Sequence, residues 1–112
     1  MRARAVYLLD LRDADLAQEY ADWHRPGRVP PAVLSDIRTA GIVGMEIFHS
    51  GNRLAMVVET REDGNLNCLR PGPETRAWEA CMDAYQQPLS GAPMAVKWQP
   101  TNCIFNLSDH EN

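Results

Sequence analysis

Tyr20 and His24 stand four residues apart in a segment whose pattern predicts a helix over about Ala14 to His24. Residues at that spacing lie one above the other on a helix face, so a phenol and an imidazole project into one space. The pair could move protons. Histidine is the side chain that changes charge near neutral pH, and a tyrosine hydroxyl both donates and accepts hydrogen bonds. The same residues belong to an amphipathic stripe of Leu16, Ala17, Tyr20, Trp23 and His24, a pattern that equally serves to bury a helix against a sheet. Spacing alone leaves both readings open.

The elements that must position this pair follow from periodicity and punctuation. Ala3 to Leu11 is rich in branched and aromatic residues and reads as a first strand, after which Asp13 can cap the helix. Pro26-Gly27 closes that helix and makes Arg25 to Pro30 a loop. Pro31 suits the first turn of a second helical piece, Pro31 to Ala40, with Val33, Leu34 and Ile37 as its apolar face and Gly41 as its stop. Ile42 to His49 and Arg53 to Thr60 form two strands joined by Ser50-Gly51-Asn52, where Gly and Asn tolerate the positive φ of a tight hairpin. Alternation would place Val43, Met45 and Ile47 on one face of the first strand and Gly44, Glu46 and Phe48 on the other. Arg61 to Pro73 is polar and punctuated, so any helix at Leu66 to Leu69 must be short. Glu74 to Tyr85 carries Trp78, Cys81, Met82 and Tyr85 at helical intervals. Gln86 to Pro93 then reads as loop, Val96 to Trp98 and Cys103 to Leu107 as an interrupted last strand, and Ser108 to Asn112 as a mobile tail.

Strand, helix, strand, strand, helix, strand is an α+β order, the ferredoxin-like βαββαβ sandwich with helices on one face of an antiparallel sheet. A chain of 112 residues fits one such domain, spanning 1–112, and can bury about 65% of its unfolded surface without staples. With both helices on one face, the other would lie in water, yet the strands carry apolar side chains in both directions. A second copy is the simplest cover: two sheets face to face would make a symmetric homodimer of the dimeric α/β-barrel type.

Composition excludes several classes of function. The 11 basic and 15 acidic residues give a net charge of −4, and the basic residues are scattered, which argues against nucleic acid as a partner. The apolar run Ala5 to Leu9 is too short for a signal segment, and no stretch approaches a membrane span. Cys68, Cys81 and Cys103 are an odd set without Cys-x-x-Cys spacing, so we expect small buried thiols in a reducing cytoplasm. No local spacing indicates a metal site.

Four landmarks extend the argument. Asp10-Leu11 leads into the helix with Tyr20 and His24. Ala40-Gly41-Ile42 leads to Met45-Glu46-Ile47-Phe48, then Gly51-Asn52-Arg53-Leu54 and Met56-Val57. Trp78-Glu79 with Met82 is followed by Gln87-Pro88-Leu89. Lys97-Trp98 precedes a terminal segment holding Phe105 and Leu107. In order and spacing, over nearly the whole length, the chain resembles the L-rhamnose mutarotase family, which includes members acting on L-fucose. The resemblance implies a cofactor-independent isomerase of the aldose 1-epimerase type, interconverting the α and β anomers of a 6-deoxy-L-sugar. It implies His24 as the proton donor, with Tyr20 and Trp78 contacting the sugar.

The residues suit that chemistry, because opening a pyranose needs one proton delivered to the ring oxygen and another taken from the anomeric hydroxyl. A flat Trp78 ring can cover the apolar face of a sugar, or simply fill a core. Glu46 is a candidate second proton carrier or a solvated or interface charge. Lys97 and Gln87 could hydrogen-bond hydroxyls, or serve as a strand-end charge and loop structure. Met45 stands where some family members have a second tyrosine, replacing a hydroxyl contact by an apolar one. Trp78-Glu79 stands where L-rhamnose-type members have a tryptophan pair and leans toward the L-fucose branch. Val29-Pro30-Pro31-Ala32 replaces Val-Trp-Pro-Glu in a lengthened loop, and Val96 replaces an acidic residue. Two rivals from other classes are a non-catalytic sugar- or metabolite-binding module and a cofactor-independent monooxygenase of the same dimeric architecture.

Overall fold

The computed structural model describes residues 3–61, 68–91 and 97–110. Strand β1 (Ala3–Leu11) is the one on which the others assemble. Strand β3 (Arg53–Thr60) runs antiparallel along one edge, from Ala3 opposite Thr60 to Asp10 opposite Arg53. The other edge is shared by two short strands. Strand β4 (Gln86–Gln87) pairs with Asp10 and Leu11, and β5 (Gln99–Pro100) with Tyr7 and Leu8. Strand β2 (Ile42–Ser50) completes the five-stranded sheet outside β3, giving the order β2-β3-β1-β4 with β5 beside β1. The ferredoxin-like arrangement is present.

Three helices lie against one sheet face. Helix α1 (Ala17–Trp23) follows a 3-10 turn whose entrance is capped by the Asp13 carboxylate, which accepts the Asp15 N–H at 2.9 Å. Helix α2 (Pro31–Thr39) opens on proline and ends before Gly41, whose φ of +86° is the left-handed conformation that stops a helix cheaply. Helix α3 (Pro73–Asp83) has Gly72 at its N-cap and therefore no side chain of its own to cap it. Asp36 on α2 supplies the missing acceptor, taking the Gly72 N–H at 2.9 Å and the Thr75 hydroxyl at 2.6 Å.

These two bonds hold the Asp36 carboxyl below its ordinary value of 3.8, the Gly72 bond contributing most. A depressed folded-state pKa means stability that is present above the ordinary carboxylate range and lost as pH falls through the folded value. Asp36→Ala is therefore expected to lower the thermal midpoint at pH 7. The gap from the parent should narrow as the pH falls through the lowered range of the Asp36 carboxyl, measured by circular dichroism melts.

The core is built from alternate residues of the strands. Leu9 and Leu11 of β1 and Leu54 of β3 are at most 1% exposed and pack with Tyr20 of α1 and Met82 of α3. A second cluster joins Ala40, Ile42, Met56 and Val58, and Trp98 packs against both. On the opposite face, Leu8, Ala55 and Phe48 sit side by side in register, as do Val6, Val57 and Glu46. Phe48 is 53% exposed there.

Several expectations are corrected. Regular alternation in β2 fails at Val43, because a bulge between Ile42 and Gly44 sets Ile42 opposite Thr60 and Gly44 opposite Glu59; Ile42 is buried and Val43 exposed. Gln86 is not loop but β4. Cys103 to Leu107 is not a strand. Beyond β5 the Thr101 hydroxyl donates to the Val6 carbonyl at 2.7 Å, and the chain then leaves the sheet with Ile104, Phe105 and Leu107 exposed. Leu107–His110 form a 3-10 turn. The cysteines are not buried: Cys81 and Cys103 are exposed and Cys68 half-buried, all three as free thiols. Cys81 falls on the solvent side of buried Met82, and Cys103 lies in the segment that leaves the sheet. Leu66 and Val96 lie outside the described residues.

Candidate active site

A cavity of about 600 Å³ opens between the helices and the β2 side of the sheet. Tyr20 and His24 come to it from α1, Val33 and Ile37 from α2, Met45 and Ile47 from β2, and Trp78, Glu79 and Met82 from α3. Its walls are chiefly apolar, with the polar groups gathered toward α1 and α3. That is the composition of a small-molecule site.

His24 sits just past the last turn of α1, where its Nδ1 donates to the Tyr20 carbonyl at 2.7 Å. A carbonyl can only accept, so Nδ1 carries the hydrogen and Nε2 of the neutral ring carries a lone pair. The imidazole is also held by rings on two sides. Its centroid lies 4.6 Å from that of Tyr20 and 5.4 Å from that of Trp78, the latter edge to face at 79°.

Tyr20 is 4% exposed, and its hydroxyl oxygen accepts from Gln86 Nε2 at 2.9 Å. Burial raises the phenol pKa above its ordinary 10.0, against a smaller lowering by the Gln86 bond. The phenol is therefore a neutral donor at physiological pH. Trp23 adds a brace, donating its indole N–H to the Tyr85 hydroxyl at 2.9 Å and meeting Trp78 edge to face.

Of the residues singled out from sequence, Tyr20, His24, Trp78 and Met45 line the cavity. Glu46 falls between Met45 and Ile47, so pleating points it to the opposite sheet face. Lys97 pairs with Asp83 at the C-terminal end of α3, and Gln87 is exposed on β4. Neither contributes to the cavity lining. Glu79, Arg38 and Trp98 line it without having been proposed for the site. Glu79 was legible only as the neighbour of Trp78, and Trp98 only as a strand-end aromatic.

The model of the L-rhamnose mutarotase family matches residues 4–107. The chain belongs to that family. Over 111 residues it is 40% identical to the L-fucose mutarotase of Xanthomonas campestris pv. campestris, covering 95% of this chain and 89% of that relative. The crystal structure of an L-rhamnose mutarotase from Formosa agariphila superposes with a TM-score of 0.68 at 16% identity, over 93% of this chain and 97% of that one. It shares the fold.

Proposed function

We propose that this chain is a mutarotase that interconverts the α and β anomers of a 6-deoxy-L-hexose, L-fucose before L-rhamnose, without a cofactor. The observation that carries the reading is the convergence of His24, Tyr20 and Trp78 on one apolar cavity. Family membership and the L-fucose mutarotase relative support the substrate class.

The chemistry needs a base at the anomeric hydroxyl and an acid at the ring oxygen. With its hydrogen on Nδ1, His24 starts as the base rather than as the donor the resemblance implies: its Nε2 lone pair takes the anomeric proton while the Tyr20 hydroxyl gives its proton to O5 as the C1–O5 bond breaks. Rotation about C1–C2 brings the other carbonyl face to O5. On reclosure the O5 hydroxyl gives its proton back to Tyr20 and His24 returns its proton to the new anomeric oxygen, so no group is consumed. Trp78 covers the apolar side of the ring, and the aliphatic walls receive the C6 methyl. Glu79, which has no hydrogen-bond partner among the described residues, is placed to accept from sugar hydroxyls. The preference for L-fucose rests on the Trp78-Glu79 pairing and on the L-fucose mutarotase relative.

Saturation transfer between anomeric protons tests the reading. It should show faster exchange for L-fucose with protein present, whereas a binding module would leave the rate unchanged and a monooxygenase would consume oxygen. Trp78→Ala is expected to raise KM roughly tenfold with a smaller effect on kcat, since a stacking contact serves sugar and transition state alike.

We further propose that the protein is a one-domain homodimer of a reducing cytoplasm. The free thiols support the compartment. The rows Leu8–Ala55–Phe48 and Val6–Val57–Glu46 support a second sheet packed on the face away from the helices. Phe48→Glu should convert a dimer to a monomer in sedimentation at micromolar concentration; a parent that already sediments as a monomer contradicts the assembly.

A further inference from the structure

Gln86 lies outside the cavity and was not a candidate for chemistry, yet it is a polar side chain only 7% exposed. Its backbone cannot swing. It is paired with Leu11 in the sheet, and its carbonyl accepts from Arg12 Nε at 3.1 Å. The side-chain amide gives an N–H to the Tyr20 oxygen at 2.9 Å, while its own Oε1 is buried without a partner among the described residues. A buried polar atom left without a partner is costly and asks for a reason.

The reason lies in which way the amide faces. A phenol has one proton to give and lone pairs to receive. With Nε2 toward the hydroxyl, Gln86 occupies a lone pair, and the Tyr20 proton finds no acceptor among the described residues. With the amide reversed, Oε1 would take that proton and leave Tyr20 none to give to a ligand. We propose that Gln86 is a positioning residue: it fixes Tyr20 as a hydrogen-bond donor to the oxygen of a bound sugar by refusing the phenol proton itself. The assignment rests on the mutarotase reading for its consequence in turnover, but not for its geometry.

Gln86→Glu reverses the amide's role with little change of shape. A carboxylate only accepts, so it captures the Tyr20 proton. Anomer exchange at pH 7.5 should fall about tenfold, the loss appearing in kcat. As pH falls and the introduced carboxyl gains its own proton, it can donate again, and the ratio of variant to parent rate should climb. Gln86→Met, which neither donates nor accepts strongly, should show a kcat loss whose ratio to the parent is flat with pH. A merely structural role would not produce that contrast.

A second readout needs no activity. In protein labelled with carbon-13 at the tyrosine Cζ, with the Tyr20 signal identified by its loss in Tyr20→Phe, Gln86→Met should move the phenol titration to higher pH, because an N–H that favoured phenolate has gone. A move to lower pH would show that Gln86 was accepting and would overturn the proposal. So would a Gln86→Glu enzyme as fast as its parent at neutral pH. Absent exchange in the parent, with the expected Cζ shift, would sink the mutarotase reading and leave the orientation of Gln86 standing.

Discussion

Replacing His24 by alanine is expected to slow anomer exchange by about two to four orders of magnitude while leaving the fold intact. The imidazole is half-buried at the cavity wall, and its hydrogen bond runs to the carbonyl of its own helix, so its removal strips no other element of a hydrogen-bond partner. The catalytic loss should be large because, among the described residues, no second imidazole lines the cavity. Tyr20 is kept neutral by burial, and Glu46 is on the far side of the sheet. His24→Gln should restore little, because an amide cannot cycle a proton. The check is the exchange rate beside an unchanged far-ultraviolet spectrum; turnover within a factor of two of the parent would falsify the role of His24.

Leu9→Ala should cost the fold about 3 to 5 kcal/mol, the range for a fully buried leucine whose surroundings cannot close over the gap. Leu9 is 0% exposed, lies on the strand paired along both edges, and packs in the cluster of Leu11, Tyr20, Leu54 and Met82. Against a total of roughly 5 to 15 kcal/mol for a domain, that is a large share. The thermal midpoint should drop by more than about 10 °C. Because the cavity left behind adjoins Tyr20, exchange at temperatures where the variant is folded should also slow, through loosening of the phenol. A midpoint within a few degrees of the parent would mean that Leu9 is not part of the core that backs the site.

Most of the frame was legible from local signals. Strand β1, strand β3 and helix α2 announced themselves by branched runs, the Ser50-Gly51-Asn52 turn, and the Pro31 and Gly41 punctuation, and they fall within a residue of where those signals put them. The spacing of Tyr20 and His24 showed that the two could meet. It could not show that His24 would sit past the helix end with Nδ1 tied to the carbonyl of Tyr20, which fixes the tautomer.

What sequence could not convey was set by distant partners. The bulge at Val43 depends on how β2 meets β3, and nothing local marks it. Cys103 to Leu107 has the composition of a strand, but β4 and β5 already hold β1's second edge over Tyr7, Leu8, Asp10 and Leu11. Gln86 and Gln87 are identical neighbours in composition, and only their register on β1 decides that one meets Tyr20 and the other meets water. The fold resemblance carried the site further than spacing did, since Trp78 reaches His24 from more than fifty residues away along the chain.

The central claim is that His24, Tyr20 and Trp78 form a site where a deoxy-sugar ring opens and recloses. Saturation transfer between the α and β anomeric protons of L-fucose, L-rhamnose and D-glucose, with and without protein, tests it most directly because it reads exchange at equilibrium. The account predicts acceleration for L-fucose above L-rhamnose, little for D-glucose, and none with His24→Ala. No acceleration for any of the three sugars, from folded protein that still binds one of them, would contradict it and leave a sugar-binding module in its place.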